Sequence, residues 1–241
     1  GGASRARIGR ITPNFLADTT FDPGTGFTET GAFISGAGLA VDSSSRIYAG
    51  GNFTTYAGSA VPRVIRLLAT GARDTSFTAP VFNNAVTALL LQGDKLIVGG
   101  SFTQVNGAAS PPLVRLNSDG SLDATFTSAL TGGSVYEIDP GPGGTLLIAG
   151  SGSAGGNNYV HRLLADGARD TGFNVGTTIN GIVSTLAPAP DGKVFIGGNF
   201  STVSSQSRPR VAKLNADGTL ATAWTPGTGP SGGTSAVNDL V

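Results

Sequence analysis

The chain has no cysteine and no methionine, a single histidine and a single tryptophan. Without cysteine, neither a disulfide framework nor a thiolate metal site can form. With no methionine, not even at position 1, the chain reads as processed or excised from a longer protein. Charge is scarce as well. Charged residues make up 12% of the chain, and fifteen cations balance fifteen anions. A nucleic-acid binder would carry a basic surplus, and a membrane-surface anchor a polybasic cluster. Only three lysines and two glutamates stand beside twelve arginines and thirteen aspartates. These two good helix formers are the scarce charged types, which fits a chain with little helix. No apolar run approaches the ~18 residues of a membrane-spanning helix.

What the chain has in quantity is glycine, 38 residues spread along its 241. Pairs recur directly after strand-forming runs: RIYAGGNFT (46–54), KLIVGGSFT (95–103), the degenerate TLLIAGSGS (145–153) and KVFIGGNFS (193–201). The pairs Gly50-Gly51, Gly99-Gly100, Ala149-Gly150 and Gly197-Gly198 are 49, 50 and 48 residues apart. A second anchor follows each: PRVIRLLATGARDTSF (62–77), PPLVRLNSDGSLDATF (111–126), YVHRLLADGARDTGF (159–173) and PRVAKLNADGTLATAW (209–224). A fifth copy, RIGRITPNFLADTTF, opens the chain at 7–21. A third anchor precedes each pair at 37–42, 85–92, 134–140 and 181–188, and its fifth copy, SAVNDLV, lies at 235–241. Repeat units therefore begin near 37, 85, 134, 181 and 235, within one domain spanning 1–241.

The offsets are rigid. Arg10/Asp18, Arg66/Asp74, Arg115/Asp123 and Arg162/Asp170 are each eight apart, and an aromatic follows three later as Phe21, Phe77, Phe126, Phe173 and Trp224. Each unit reads as four short antiparallel strands joined by Asp-Gly-type turns. Repeated every 40–50 residues or so, that is a β-propeller blade. The expected fold is all-β, a propeller of about five blades with the last blade shared by the two termini and incomplete. A continuation past Val241 is expected to carry a further DGKxxxGG-type strand. Glycine inside a strand implies close approach of a neighbouring blade, or a bulge. Phe53, Phe102 and Phe200 are expected to fill the wedge between blades.

The unit IGGNFTxxxGxxxPRVxRLNxDGTLDxxF resembles the delta-60 repeat of large bacterial secreted and surface proteins. GGNF (50–53, 197–200) and RLNSDGSLDATF (115–126) carry the likeness. The third copy departs from it, lacking the GGNF aromatic and having a loop shorter by three residues at 151–158, as does the last, where Ala221 replaces the aspartate. The strand order also resembles NHL-type propellers. The resemblance implies an extracellular or cell-surface setting and transfers no catalytic residue.

The Arg/Asp pairs read as exposed cross-strand ion pairs between the third and fourth strands rather than as a ring of ligand sites. His161 replaces Ile65, Val114 and Ala212 of other copies and brings no sequence partner for catalysis or metal. Glu137 and Asp139 fall on an innermost strand, without the paired carboxylates that acid/base chemistry asks for. The Asp-Gly segments lack the bidentate glutamate of a calcium loop. Asn52 and Asn199 match glycosylation sequons only because they belong to the repeat. No catalytic residue, cofactor or metal ligand is expected. The function expected is a non-enzymatic extracellular module for adhesion, display or spacing. A carbohydrate-binding propeller is the alternative, with a hydrolase or lyase third. A protein or glycan ligand, the continuing chain or a neighbouring subunit would be the partner. Nucleic acid and membrane insertion are not expected.

Overall fold

In the computed structural model, residues 7–28, 31–152, 158–175, 179–227 and 236–240 are described. The first repeat contains β1 (Ile34–Val41), β2 (Ile47–Gly51), β3 (Thr55–Tyr56), β4 (Ser59–Ala60) and β5 (Val64–Leu67). The second contains β6 (Val86–Gln92), β7 (Lys95–Gly100), β8 (Gln104–Val105), β9 (Ala108–Ala109) and β10 (Leu113–Leu116). The third has β11 (Ser134–Pro140), β12 (Leu146–Ser151) and β13 (Tyr159–Leu163). The fourth has β14 (Val183–Pro188), β15 (Val194–Gly198), β16 (Thr202–Val203), β17 (Gln206–Ser207) and β18 (Val211–Leu214). Helix among the described residues is confined to one 3-10 turn, Pro142–Gly144.

Four three-stranded sheets result: β1-β2-β5, β6-β7-β10, β11-β12-β13 and β14-β15-β18, each with its second strand in the middle. The fourth strand expected from the sequence does not form. The segment before each aromatic touches the third strand through a single bridge, as in Leu67↔Arg73, Leu116↔Leu122, Leu163↔Arg169 and Leu214↔Leu220. The intervening turn is short and its tail turns away at once to meet the following repeat, so no ladder extends.

Small hairpins appear instead after the second strand: β3-β4, β8-β9 and β16-β17. Their central residues Ala57-Gly58, Asn106-Gly107 and Ser204-Ser205 all have positive φ, the type I′ geometry that matches strand twist. Each drives one apolar side chain inward: Tyr56, Val105 and Val203 are buried. In the third repeat, most of the corresponding shortened loop, 153–157, lies outside the described residues.

The chain divides into two compact units, one comprising 1–110 and 114–123, the other 111–113 and 124–241. In the first, Tyr48 and Val64 of one sheet share a core with Val86, Leu89 and Phe102 of the next. Phe21, Phe27, Phe53 and Tyr56 form a second cluster there. In the second unit, Ala149 and Val160 pack with Val183, Leu186 and Phe200.

The expected fifth first strand is not a strand. Residues 236–240 carry no ladder, and Ser235 and Val241 lie outside the described residues. Val237 donates its N–H to the Gly198 carbonyl at 3.1 Å. A Cβ on Gly197 would meet Val237 and Leu240, as one on Gly50 would meet Val86 and Leu89 of β6. The segment thus takes the place against repeat four that β6 takes against repeat one. Among the described residues no sheet joins segments from both ends of the chain.

Candidate functional site

The repeated Arg/Asp pair is the most polar feature of the unit, and its geometry shows what the pair does. The Arg66 Nε donates to Asp74 at 2.7 Å, Arg115 to Asp123 at 2.6 Å, Arg162 to Asp170 at 2.6 Å and Arg10 to Asp18 at 2.7 Å. The pairs are not the exposed edge links expected from the sequence. The side chains of Arg66 and Asp74 are only 2% and 9% exposed. What covers them is the next repeat. Arg66 Nη1 donates to the Ser118 carbonyl at 2.6 Å, Arg10 Nη1 to that of Ala69 at 2.7 Å, and Arg162 Nη1 to that of Ala216 at 2.8 Å. Each acceptor sits in the turn of the following repeat, 52 to 59 residues along. The guanidinium also lies over the repeat's own aromatic, 4.9 Å from the centroid for Arg66–Phe77 and for Arg162–Phe173.

A backbone bond runs beside this link. The residue after each aromatic donates to the residue before the next repeat's turn glycine: Asp22 to Thr70, Thr78 to Asp119, Thr127 to Asp166 and Asn174 to Asp217, at 2.7–2.8 Å. The turn glycines have positive φ, and a Cβ on Gly120 would lie 2.6 Å from the Thr78 backbone. Only glycine meets both demands. The Asp-Gly segments are therefore docking turns, with Asp119 and Asp217 accepting the N–H and hydroxyl of Ser121 and Thr219.

Hydrogen bonds from Thr20 and then the Arg10 guanidinium hold Asp18 down at about 2. Burial pushes Asp74 upward, but bonds from Ser76 and Arg66 outweigh it and leave the carboxyl lowered. Arg66→Ala should cost about 2–3 kcal/mol, since it strands the buried Asp74 carboxylate and the Ser118 carbonyl. Urea unfolding monitored by tryptophan fluorescence or circular dichroism measures it; a loss below ~1 kcal/mol would show that the pair behaves as a surface salt bridge.

Glu137 and Asp139 lie on β11, an edge strand of its sheet. The Glu137 carboxylate accepts the backbone N–H of Leu186 on β14. Glu137 occupies the register position of Ala88 and Thr185, directly after the first-strand bulge. Burial pushes its carboxyl up to about 7, against the lowering bond from Leu186, with Asp139 and Asp239 adding to the rise. Burial alone raises Asp139 to about 6. The Thr185 side chain, buried in the same region, also acts to lower Glu137. A carboxyl whose folded pKa is raised holds its proton between pH 4.5 and 7 while the unfolded chain has released it, so stability falls as pH rises through that window. Glu137→Gln keeps an acceptor for Leu186 and removes the charge. The variant should unfold at higher temperature than the parent at pH 8 and equally at pH 4, which thermal unfolding at the two pH values checks.

His161 lies on β13 with its ring stacked on Tyr159, 4.8 Å between centroids. Its Nε2 accepts from Arg169 Nη1 at 3.0 Å. Burial, and then the Arg169 charge, push the imidazole down to about 4, so it is neutral at pH 7. Tyr159 explains how the third repeat manages without its GGNF aromatic. A Cβ on Gly150 would meet the Tyr159 ring, as one on Gly51 or Gly100 would meet Phe53 or Phe102. The Asn52 side chain bonds Phe33 N–H and the Gly31 carbonyl, and that of Asn199 bonds Ile182 N–H. Both sequon asparagines are thus engaged in holding the strand exit. Among the described residues no group of three or more His, Asp or Glu could hold a metal ion.

One cavity was not foreseen. It measures about 390 Å³ and is lined by Lys193, Lys213, Asn215, Thr222 and Trp224 around Ala221. The sequence signal was the loss of the aspartate at Ala221. An apolar cleft of about 450 Å³ in the first unit runs between Val61–Ile65 and Phe77–Phe82.

Sheets of three strands whose arginines and turns tie each repeat to the next define a β-propeller repeat protein. The chain belongs to the family described as domain of unknown function (DUF5122) beta-propeller, matched at residues 43–77, 92–126, 142–173 and 189–221. This bears out the repeat family read from the sequence. No curated protein matches the chain. Among solved structures it is similar to the computationally designed protein Ika8, with a TM-score of 0.52 and 12% identity over 76% of this chain and 46% of that one. The chain thus spans about half of the designed protein, and the likeness concerns the fold alone. Two others are more distant. One is a protein of unknown function from Bacteroides caccae, with a TM-score of 0.37 and 12% identity over 80% of this chain and 81% of that one. The other is the extracellular domain of a putative one-component system from B. thetaiotaomicron, with a TM-score of 0.35 and 14% identity over 88% and 29%. No helix among the described residues is long and apolar enough to cross a membrane.

Proposed function

We propose that this chain is a non-enzymatic extracellular module that works by its surface, in adhesion, display or spacing within a larger bacterial protein. The observation that carries this reading is where the repeated charges go. Arg10, Arg66 and Arg162 each bind their own aspartate and the next repeat's turn carbonyl, so the polar groups that recur serve the stacking of repeats. Glu137, Asp139 and His161, in contrast, each occupy a position that is titratable in only one of the four sheets. His161 is neutralised by burial and held by Arg169. A broad panel of glycosidase, esterase and lyase substrates should give no turnover. Turnover that disappears in Glu137→Gln would overturn the reading. Protease shaving of intact source cells should release the domain if it is displayed outside.

A second reading, glycan binding, is favoured by the placement of Trp224 beside Lys193 and Lys213 in a cavity. An aromatic face with neighbouring hydrogen-bond donors suits a sugar ring. A glycan array separates the two readings.

A further inference from the structure

We propose that the cavity of repeat four binds a ligand carboxylate carried on a sugar ring, the chemistry of a hexuronic acid; this rests on the glycan-binding reading. Repeat two is the internal reference. There the Asp123 carboxylate lies between two cations, 2.7 Å from Lys95 Nζ and 2.6 Å from Arg115 Nε. Repeat four keeps both cations at the equivalent positions, Lys193 and Lys213, but has Ala221 in place of the aspartate. The truncated side chain leaves the cavity of about 390 Å³ where the carboxylate would stand.

The two lysines are not otherwise satisfied to the same degree. Lys193 pairs with Asp191, and that pair is largely exposed at 37% and 52%. Lys213 makes no direct salt bridge among the described residues, its charge reaching Asp191 only through space; its ammonium sits over the Phe195 ring at 4.8 Å. An acid entering the cavity therefore meets one ammonium without a direct ion pair and a second held by a weak surface pair. Trp224 forms one wall, with its ring edge-on to Phe195 at 5.5 Å and 81°. A half-buried aromatic offers a sugar ring apolar contact, and Thr222 lines the same space. A charge-assisted contact from both lysines then sets the preference for acid over neutral sugar.

Trp224 is the chain's only tryptophan, so its fluorescence reports the site directly. Sodium glucuronate, titrated at constant ionic strength, should give a saturable change, and glucose should give none. Ala221→Asp supplies the missing carboxylate from the chain itself, and Lys213→Met removes the cation without a direct ion pair. Each should weaken glucuronate at least about tenfold, and Ala221→Asp should also raise the unfolding temperature, which keeps the loss of binding separate from loss of fold. An equal response to glucose, no saturable response, or undiminished binding by Ala221→Asp would overturn the site. Saturable binding of neutral sugars mapped by amide shifts away from Trp224 would also overturn it, while leaving the glycan-binding reading in place.

Discussion

Gly100→Ala should destabilise the protein by about 3 kcal/mol or more. The glycine pairs split two tasks. The first member lies under the neighbouring repeat: a Cβ on Gly50 would come 2.6 Å from Val86 and on Gly197 2.7 Å from Val237. Those neighbours are side-chain methyls, which can shift. The second member lies under backbone. A Cβ on Gly51, Gly100, Gly150 or Gly198 would be driven into the carbonyl oxygen of Phe33, Ala85, Ser134 or Ile182 respectively. Those carbonyls precede or flank the first-strand bulge, where the register shifts in every sheet. No rotamer change relieves such a clash, so the strand must separate from its partner. Urea denaturation of Gly100→Ala beside Gly50→Ala should show the former more damaging. Near-wild-type stability of Gly100→Ala would mean that the bulge tolerates a side chain and that the glycine pairs have another cause.

Phe102→Ala should cost about 3–5 kcal/mol. Phe102 is fully buried, as are Phe53 and Phe200. Its ring covers Gly100 and lies 4.8 Å from that of Phe82. Truncation leaves a hole between strand exit, small hairpin and incoming chain, and the surrounding turns have little freedom to collapse into it. Phe126→Ala should cost less, because that ring is only half-buried. Equal losses at the two positions, or a loss below ~1 kcal/mol at Phe102, would show that Phe102 and Phe126 do not differ as their burial says.

How much of this was legible in the sequence follows from the range of each interaction. The repeat and its first three strands were, because fixed offsets such as Arg66 to Asp74 to Phe77 are local. The hairpin at Asn106-Gly107 was also written in local chemistry, since Asn-Gly is a strong type I′ signal. It went unread because its strands are only two residues long. Burial of the Arg66–Asp74 pair was not legible, for the turn that covers it arrives with Ser118. Nor was the partner of Glu137, the Leu186 N–H, 49 residues away. Tyr159 stands in for an aromatic at a different point of the repeat, on another strand, which no alignment of the copies would suggest. The ends of the chain were the least legible part. The expectation of a shared fifth blade rested on counting strands, and 236–240 packs against Gly197 without becoming one.

The central claim is that Arg10, Arg66 and Arg162 each hold the next repeat, not merely their own aspartates. Amide hydrogen exchange of Arg66→Ala against the parent tests it most directly. The account predicts that protection falls at Thr78, whose N–H is given to Asp119, and at Gly120, inside the docked turn of the following repeat. Loss of protection confined to residues 66–77, with Gly120 unchanged, would contradict it.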